Sequence, residues 1–210
     1  LDISHLLAQG SVQAMDLGQC DDGRYWLLWA SAGLDGFLIE RVEPRPRWFK
    51  RFGMAGYAAK VSINLPQARS MQAEVWVDDK HIEGEYLMVT ITNCRHYAGG
   101  AIKLNPRGVL DDGQFEVFAF EGSSIVQAVE HSIKVGMQTH YYDSKIRAFS
   151  GRHVRIESTQ PVPYHLDAEP AGRTPLDCTL VPGALRILVP AGAAENQFEQ
   201  PGFALSTVNT

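Results

Sequence analysis

Short apolar runs that alternate with polar residues at a period of two, each bounded by a turn pair, do most to restrict the fold of this chain. Val75-Trp76-Val77 leads into Asp78-Asp79, and Phe115-Glu116-Val117-Phe118 follows Asp112-Gly113. Such alternation sets one face of an extended segment against a core and the other toward water. Strands are predicted at Tyr25 to Ala30, Glu74 to Val77, Tyr86 to Thr92, Phe115 to Phe120 and Val154 to Glu157. Tyr164 to Leu166, Asp177 to Val181 and Leu185 to Val189 complete the set. Their spacing between turns predicts a mainly β fold, an antiparallel β-sandwich, in preference to repeated βαβ units. Two windows break the pattern and predict accessory helices packed on or beside the sandwich. Arg47 to Leu65 holds good helix formers and ends before Pro66, and Ser124 to Thr139 opens on a capping serine with Ile125, Val129 and Ile133 at helical spacing. The tail 191–210, with its Gly, Pro, Gln and Asn, reads as loosely ordered chain or a segment that touches something else.

A length of 210 residues with 45% hydrophobic and 20% charged residues is enough to bury a core, so disorder is the wrong default. A formal net charge of −5 with mixed signs argues against a nucleic-acid partner, which needs concentrated basic charge. Cys20, Cys94 and Cys178 are odd in number, far apart and never arranged as CxxC. Neither a disulfide framework nor a zinc knuckle follows, and reduced thiols in a cytoplasmic protein are the simplest reading. The most apolar window, Tyr25-Trp26-Leu27-Leu28-Trp29-Ala30, is far shorter than the roughly 20 residues of a spanning helix, and nothing at Leu1 resembles a signal peptide. The expectation is a soluble or at most peripheral protein. The chain opens at Leu1 without an initiator methionine, at a point that reads as the interior of a domain, so a fragment of a longer protein is expected.

Two stretches carry candidate chemistry. The first runs from Asn93-Cys94-Arg95-His96-Tyr97-Ala98-Gly99-Gly100-Ala101 through Leu104-Asn105-Pro106 to Val109-Leu110-Asp111-Asp112-Gly113-Gln114. Gly99-Gly100 permits close backbone approach or positive φ, and Asp112-Gly113 is a turn signal ahead of a strand. From the residues alone two turns in a β protein are the simpler reading, although a carboxylate flanked by turn carbonyls also suits a hard cation such as Mg²⁺. The second is Tyr164-His165-Leu166-Asp167-Ala168-Glu169-Pro170. If strand geometry persists, Asp167 and Glu169 share a face, as a proton-transfer pair or as a solvated turn.

In their order and spacing these stretches resemble the C-terminal domain of the bacterial diacylglycerol kinase and sphingosine kinase-like lipid kinase family. The resemblance takes in the Gly-Gly turn, the following proline, the aliphatic-Asp-Asp-Gly turn, Leu166-Asp167-Ala168-Glu169-Pro170, and the segment from Val181-Pro182-Gly183-Ala184 to Pro190. Upstream, Met15-Asp16-Leu17-Gly18, Ala30 to Gly36, and Lys50 to Tyr57 resemble further family segments, so coverage runs from about Gly10 to Pro190. The resemblance implies a substrate-side β-sandwich over residues 1–190 of a two-domain enzyme. The partner would be the chain's own N-terminal nucleotide-binding domain, whose Gly-Gly-Asp-Gly-Thr loop does not occur here. ATP would reach the site through that domain, and the fragment alone would be inactive.

By the same resemblance, Glu169 takes the catalytic role of activating the lipid hydroxyl, and Mg²⁺ is held by the Asp112 side chain with backbone carbonyls of Val109 and Gln114. Two positions depart from the family pattern. Ala168 replaces the central glycine of Asp-Gly-Glu, which restricts the backbone if that position has positive φ, and Ala101 replaces the third glycine of Gly-Gly-Gly.

The implied substrate is a lipid of the diacylglycerol or sphingoid type. A peripheral membrane contact is expected at Arg45-Pro46-Arg47-Trp48-Phe49-Lys50-Arg51-Phe52, where basic and aromatic residues mix, unless Trp48 and Phe52 simply pack in the core. His96, His131, His140, His153 and His165 share no metal-ligand spacing and read as structural or exposed. A non-catalytic β-sandwich that binds lipid or protein, a nicotinamide-nucleotide kinase and a homodimer all stay open.

Overall fold

The computed structural model describes residues 7–43, 63–67, 69–97, 100, 102–190, 192–193 and 197–204. Strand β1 (Ser11–Cys20) is followed by β2 (Tyr25–Trp26), β3 (Trp29–Gly33) and helix α1 (Leu34–Val42). Next come β4 (Met71–Val77), β5 (Lys80–Thr92), β6 (His96–Tyr97), β7 (Ile102–Lys103), β8 (Phe115–Glu121) and helix α2 (Ile125–Gly136). The chain closes with β9 (Ile146–Gly151), β10 (His153–Ser158), β11 (Pro163–Leu166), β12 (Glu169–Arg173), β13 (Leu176–Val189) and β14 (Phe203–Ala204).

Strand β5 organises the architecture because its two halves pair differently. Residues 80–86 pair with β4, whereas the later residues lie between β3 and β8. One end of the sheet thus runs β12-β11-β3-β5-β8-β9 and the other β5-β4-β10-β13-β1. All pairings among the described strands are antiparallel. The sheet curls on itself, and its inner faces share one core in which Trp26 and Phe115 stack at 4.8 Å beside Val75, Ile91 and Ile156. The expected mainly β sandwich with accessory helices is what forms. Met71 to Val77 shows why the alternation was informative, since every second residue is buried.

The helix window at Ser124 is also present. Ser124 Oγ accepts from Gln127 N at 3.3 Å, and Gln127 Oε1 accepts from Ser124 N at 3.2 Å, a reciprocal cap. Its packing face differs from the apolar repeat, however. His131 and Val135 are buried over Phe118 and Phe120, whereas Ile125, Val129 and Ile133 are 39%, 47% and 57% exposed. The window Arg47 to Leu65 lies, apart from its last residues, outside the described residues, as does the basic-aromatic segment Arg45 to Phe52.

Two other segments differ from the sequence reading. Tyr25 to Ala30 is two strands with an exposed bend at Leu27-Leu28. The windows Asp177 to Val181 and Leu185 to Val189 are one strand, β13, in which Pro182-Gly183 lies at a bulge against β1. Asp16 causes it: its buried carboxylate accepts from Gly183 N and Gly113 N, both at 2.7 Å. The described part of the tail is anchored as well. β14 pairs with Ser11 and Val12, and Asp111 accepts from Glu199 N at 2.7 Å and Gln200 N at 2.8 Å.

Candidate active site

Strand β3 turns into α1 at Gly33, whose φ of 94° belongs to the left-handed half of backbone space. Helix α1 then crosses β11 so closely that a Cβ on Gly36 would lie 2.2 Å from the Pro163 carbonyl oxygen. This small-residue corner brings the first turn of α1 over the outer face of β5 and β8, opposite α2. Between the two helices is a cavity of ≈ 210 Å³ lined chiefly by apolar side chains, among them Leu34, Leu38, Met88, Phe120 and Val135. Its polar groups include Asp35 and Tyr97.

The Asp35 carboxylate belongs to a partly buried cluster around the buried His165. His165 Nε2 lies 2.6 Å from Asp35 Oδ2, and Tyr97 Oη donates to the same oxygen. On the other side of the imidazole, Ala168 N donates to His165 Nδ1 at 3.2 Å. The proton of His165 is therefore assigned to Nε2 and the ring is neutral.

Ala168 lies in the hairpin joining β11 to β12, where Asp167 and Ala168 take φ of 48° and 66°. Ala168 thus occupies the left-handed backbone that a glycine would adopt freely. Asp167 does not act as half of a carboxylate pair. Its side chain accepts from Leu27 N at 2.7 Å, Leu28 N at 2.8 Å and Trp29 N at 3.2 Å, so it clamps the β2–β3 bend. Glu169 opens β12, the last strand at its end of the sheet, and is exposed.

The turn holding Val109, Asp112 and Gln114 lies against β1. Asp112 Oδ1 accepts from Gln114 N at 3.0 Å, and Arg152 Nε donates to the Gly113 carbonyl at 3.0 Å. Burial pushes the Asp112 carboxyl above its ordinary pKa, reinforced by Asp16, Glu199 and Asp111. Burial, with Asp112 beside it, pushes Glu116 up to about 7. No group of three or more His, Cys, Asp or Glu among the described residues could hold a metal ion. A cation here would therefore depend on Asp112 and backbone carbonyls. That donor set in a crowd of carboxylates fits a hard ion that keeps several waters.

Asn93 and Cys94, which open the first motif segment, directly follow β5. Asn93 Nδ2 donates to the carbonyls of Asp16 at 2.7 Å and Leu27 at 3.3 Å. Burial pushes the Cys94 thiol up to about 11, and the negative charges of Asp167 and Glu116 act in the same direction. Among the described residues no hydrogen bond or ion pair joins Glu169 directly to the 109–114 turn. Asp35, Tyr97 and His165 were not legible as a group, because Asp35 and His165 stand 130 positions apart and share no motif.

A curled antiparallel sheet with two packed helices, an apolar cavity between them and a carboxylate hairpin at its edge defines the chain as a β-sandwich domain. The family model described as the YegS C-terminal NAD kinase beta sandwich-like domain matches residues 29–189, and the chain belongs to that family. Relatives carry lipid kinase names. Diacylglycerol kinase of Bacillus subtilis (strain 168) is 25% identical over 198 residues, covering 93% of this chain and 63% of that protein. A protein of Stenotrophomonas maltophilia (strain K279a) named "Probable lipid kinase YegS-like" is 29% identical over 192 residues, covering 89% and 61%. A crystal structure of a diacylglycerol kinase from Bacillus anthracis str. Sterne shares the fold with a TM-score of 0.57 at 15% identity, covering 87% of this chain and 56% of that one. The chain spans about three fifths of the length of the curated relatives it matches.

Proposed function

We propose that this chain is the acceptor-holding domain of an ATP-dependent lipid kinase, in which the apolar cavity takes the lipid chain and Glu169 accepts the proton of the lipid hydroxyl. One observation carries the reading: a hydrogen-bonded path runs from the cavity wall at Asp35 through His165 to Ala168, next to Glu169. An exposed carboxylate on an edge strand is open to a second domain, and ATP would be presented by the nucleotide-binding half of the longer protein. Phosphoryl transfer depends mainly on positioning and charge neutralisation, so such a division of labour is chemically sufficient.

Asp112, with the carbonyls of Val109 and Gln114, would hold Mg²⁺. The ion would supply positive charge to offset the surrounding carboxylates and fix the 109–114 turn. The acceptor must come from a bilayer. No helix among the described residues is long and apolar enough to cross one. The stripe of Val126, Ile133 and Met137 on and just beyond α2, 76%, 57% and 69% exposed, is the apolar surface available for peripheral contact near the cavity.

The test is a radiolabelled ATP assay on the full-length gene product with diacylglycerol, sphingoid bases and NAD as acceptors. Glu169→Gln should reduce lipid phosphorylation by about 10²-fold or more. Undiminished turnover by that variant, or turnover of NAD alone, overturns the assignment.

A further inference from the structure

Cys20 and Cys178 lie directly opposite each other where β1 meets β13. Their sulfurs are 3.3 Å apart, both side chains are buried, and both thiols are free. They belong to the core that Trp26 and Phe115 fill, and the proposed phosphoryl transfer uses neither. The ladder's hydrogen bonds define the kind of pair they form. Asp21 N donates to the Asp177 carbonyl at 3.1 Å, one residue beyond the pair, while Cys20 N turns away and donates to the Arg24 carbonyl at 2.8 Å. Cys20 and Cys178 are therefore a non-hydrogen-bonded pair, the position at which opposed Cα atoms approach to roughly 4.5 Å and side chains lie closest. That separation falls inside the range of about 4.4–6.8 Å that a disulfide spans. Closing the sulfurs from 3.3 Å to the roughly 2.05 Å of an S–S bond is a matter of two side-chain rotations, with the strands left in place.

The two sulfurs are not equivalent. Cys178 is enclosed within β13, whereas Cys20 ends β1 and is followed by the exposed turn Asp21 to Arg24. A hydrogen bond from the Cys178 thiol holds the Cys20 thiol below its ordinary pKa, and Arg24 acts in the same direction against burial and Asp22. The same bond, together with burial, raises Cys178. Cys20 is thus the sulfur that carries negative charge and reacts first, and fraying at the strand end admits a reagent the size of water.

We propose that Cys20 and Cys178 form a reversible thiol-oxidation site, which hydrogen peroxide converts to a disulfide between β1 and β13. The Cys20 thiolate attacks one peroxide oxygen, so that an S–O bond forms, the O–O bond breaks, and the departing hydroxide takes a proton and leaves as water. The Cys178 sulfur then attacks the sulfur of that sulfenic acid. An S–S bond forms, the S–O bond breaks, and a second water leaves with the Cys178 proton. The two thiols lose two electrons and the peroxide is reduced to water; a dithiol reductant reverses the change. Because the bond joins residues near the two ends of the domain, it restricts the unfolded chain far more than it alters the folded one. It also fastens the end of β1 from which β2 leads into the bend held by Asp167. The site stands independently of the lipid-kinase reading.

The test treats the full-length gene product with hydrogen peroxide under native conditions, alkylates the remaining thiols in denaturant, and maps linked peptides by mass spectrometry without reduction. The peptides of Cys20 and Cys178 should appear joined, and dithiothreitol should separate them. Cys94, whose sulfur donates to the His96 carbonyl at 3.1 Å and whose thiol burial pushes up to about 11, should remain open to alkylation. The melting temperature should rise by about 5–15 °C on oxidation and return on reduction. In Cys178→Ser, which removes the second sulfur, Cys20 should be trapped by dimedone as a sulfenic acid. Mapping the unaltered protein decides the question even if that variant does not fold. Full alkylation of both cysteines after peroxide, joining of either to Cys94, or joining only in urea overturns the proposal. So does a linked form that melts no higher than the reduced one, since the strands would then be strained by the bond.

Discussion

Asp167 should be a fold-determining clamp whose removal costs several times more than its partial replacement. Its carboxylate accepts from Leu27 N at 2.7 Å, Leu28 N at 2.8 Å and Trp29 N at 3.2 Å. A hydrogen bond to a charged group contributes about 1.5–3 kcal/mol when shielded and less where water can take its place. Leu27 and Leu28 are 40% and 36% exposed, so their amides can be rehydrated and about 1 kcal/mol each is reasonable. Trp29 is less exposed, and its amide merits about 2 kcal/mol. Alanine also tolerates the φ of 48° less well than aspartate does. Asp167→Ala should therefore lose about 4 kcal/mol. Asp167→Asn behaves differently, because one amide oxygen placed at Oδ1 keeps Leu28 and Trp29 and forfeits only Leu27, for about 1 kcal/mol. Urea unfolding at constant m should show the alanine variant's midpoint falling by about 1–2 M and the asparagine variant's by a third of that or less. An alanine variant within about 1 kcal/mol of the parent, or an asparagine variant equally damaged, would refute the clamp.

The neighbouring position tests backbone strain: Ala168→Gly removes a Cβ at φ 66° and should raise the melting temperature by a few degrees, about 1 kcal/mol after glycine's own entropy is offset, and a fall would contradict it. Glu116, which burial pushes from 4.5 to about 7, binds its proton more tightly folded than unfolded. Its contribution is therefore fully present below about pH 4.5 and is lost as pH rises toward 7, by up to about 3 kcal/mol. Urea midpoints at pH 5 and pH 7.5 with a chelator present should show that decline, and Glu116→Gln should flatten it. Gly36→Ala would place a Cβ 2.2 Å from the Pro163 carbonyl oxygen, which must displace α1 from β11; a variant that melts with the parent and still binds a lipid probe in the cavity would disprove that close approach. Asp111→Ala should release the tail, read as faster amide exchange at Ser11 and Val12 with little change in global stability.

What was legible in the sequence was local. Met71 to Val77 alternates because its two faces meet different surroundings, and Ser124 caps α2 with its own neighbour Gln127, so both could be read without the rest of the chain. What was not legible depends on partners far away in the chain. The bend at Leu27-Leu28 exists because Asp167 holds it from 138 to 140 positions off. Pro182-Gly183 reads as a break, yet it continues β13 because Asp16 takes the Gly183 amide across the ladder. Which face of α2 packs was not legible for a related reason: periodicity shows that a helix has an apolar face but not what covers it. Motif resemblance pointed to Glu169 and Asp112 as candidates, while the Asp35, His165 and Tyr97 cluster was invisible to motif and spacing alike.

The β11–β12 hairpin links these observations. A two-residue turn with positive φ at both positions is stiff, and its Asp167 is fixed to β2 and β3 while its Ala168 is fixed to His165. Glu169 follows directly, so its backbone is held from two directions while its side chain stays exposed on the terminal strand. Edge strands ordinarily need protection against pairing with other chains, and this one is bulged at Ala171, opposite Tyr164-His165 of β11, and carries an exposed Arg173–Glu40 ion pair at 3.0 Å. The rigid placement of a charged group at an exposed edge is what a reaction between two domains requires. On the proposed reading, the acceptor side would contribute geometry fixed in advance, and the approach of a nucleotide-binding domain would complete the site.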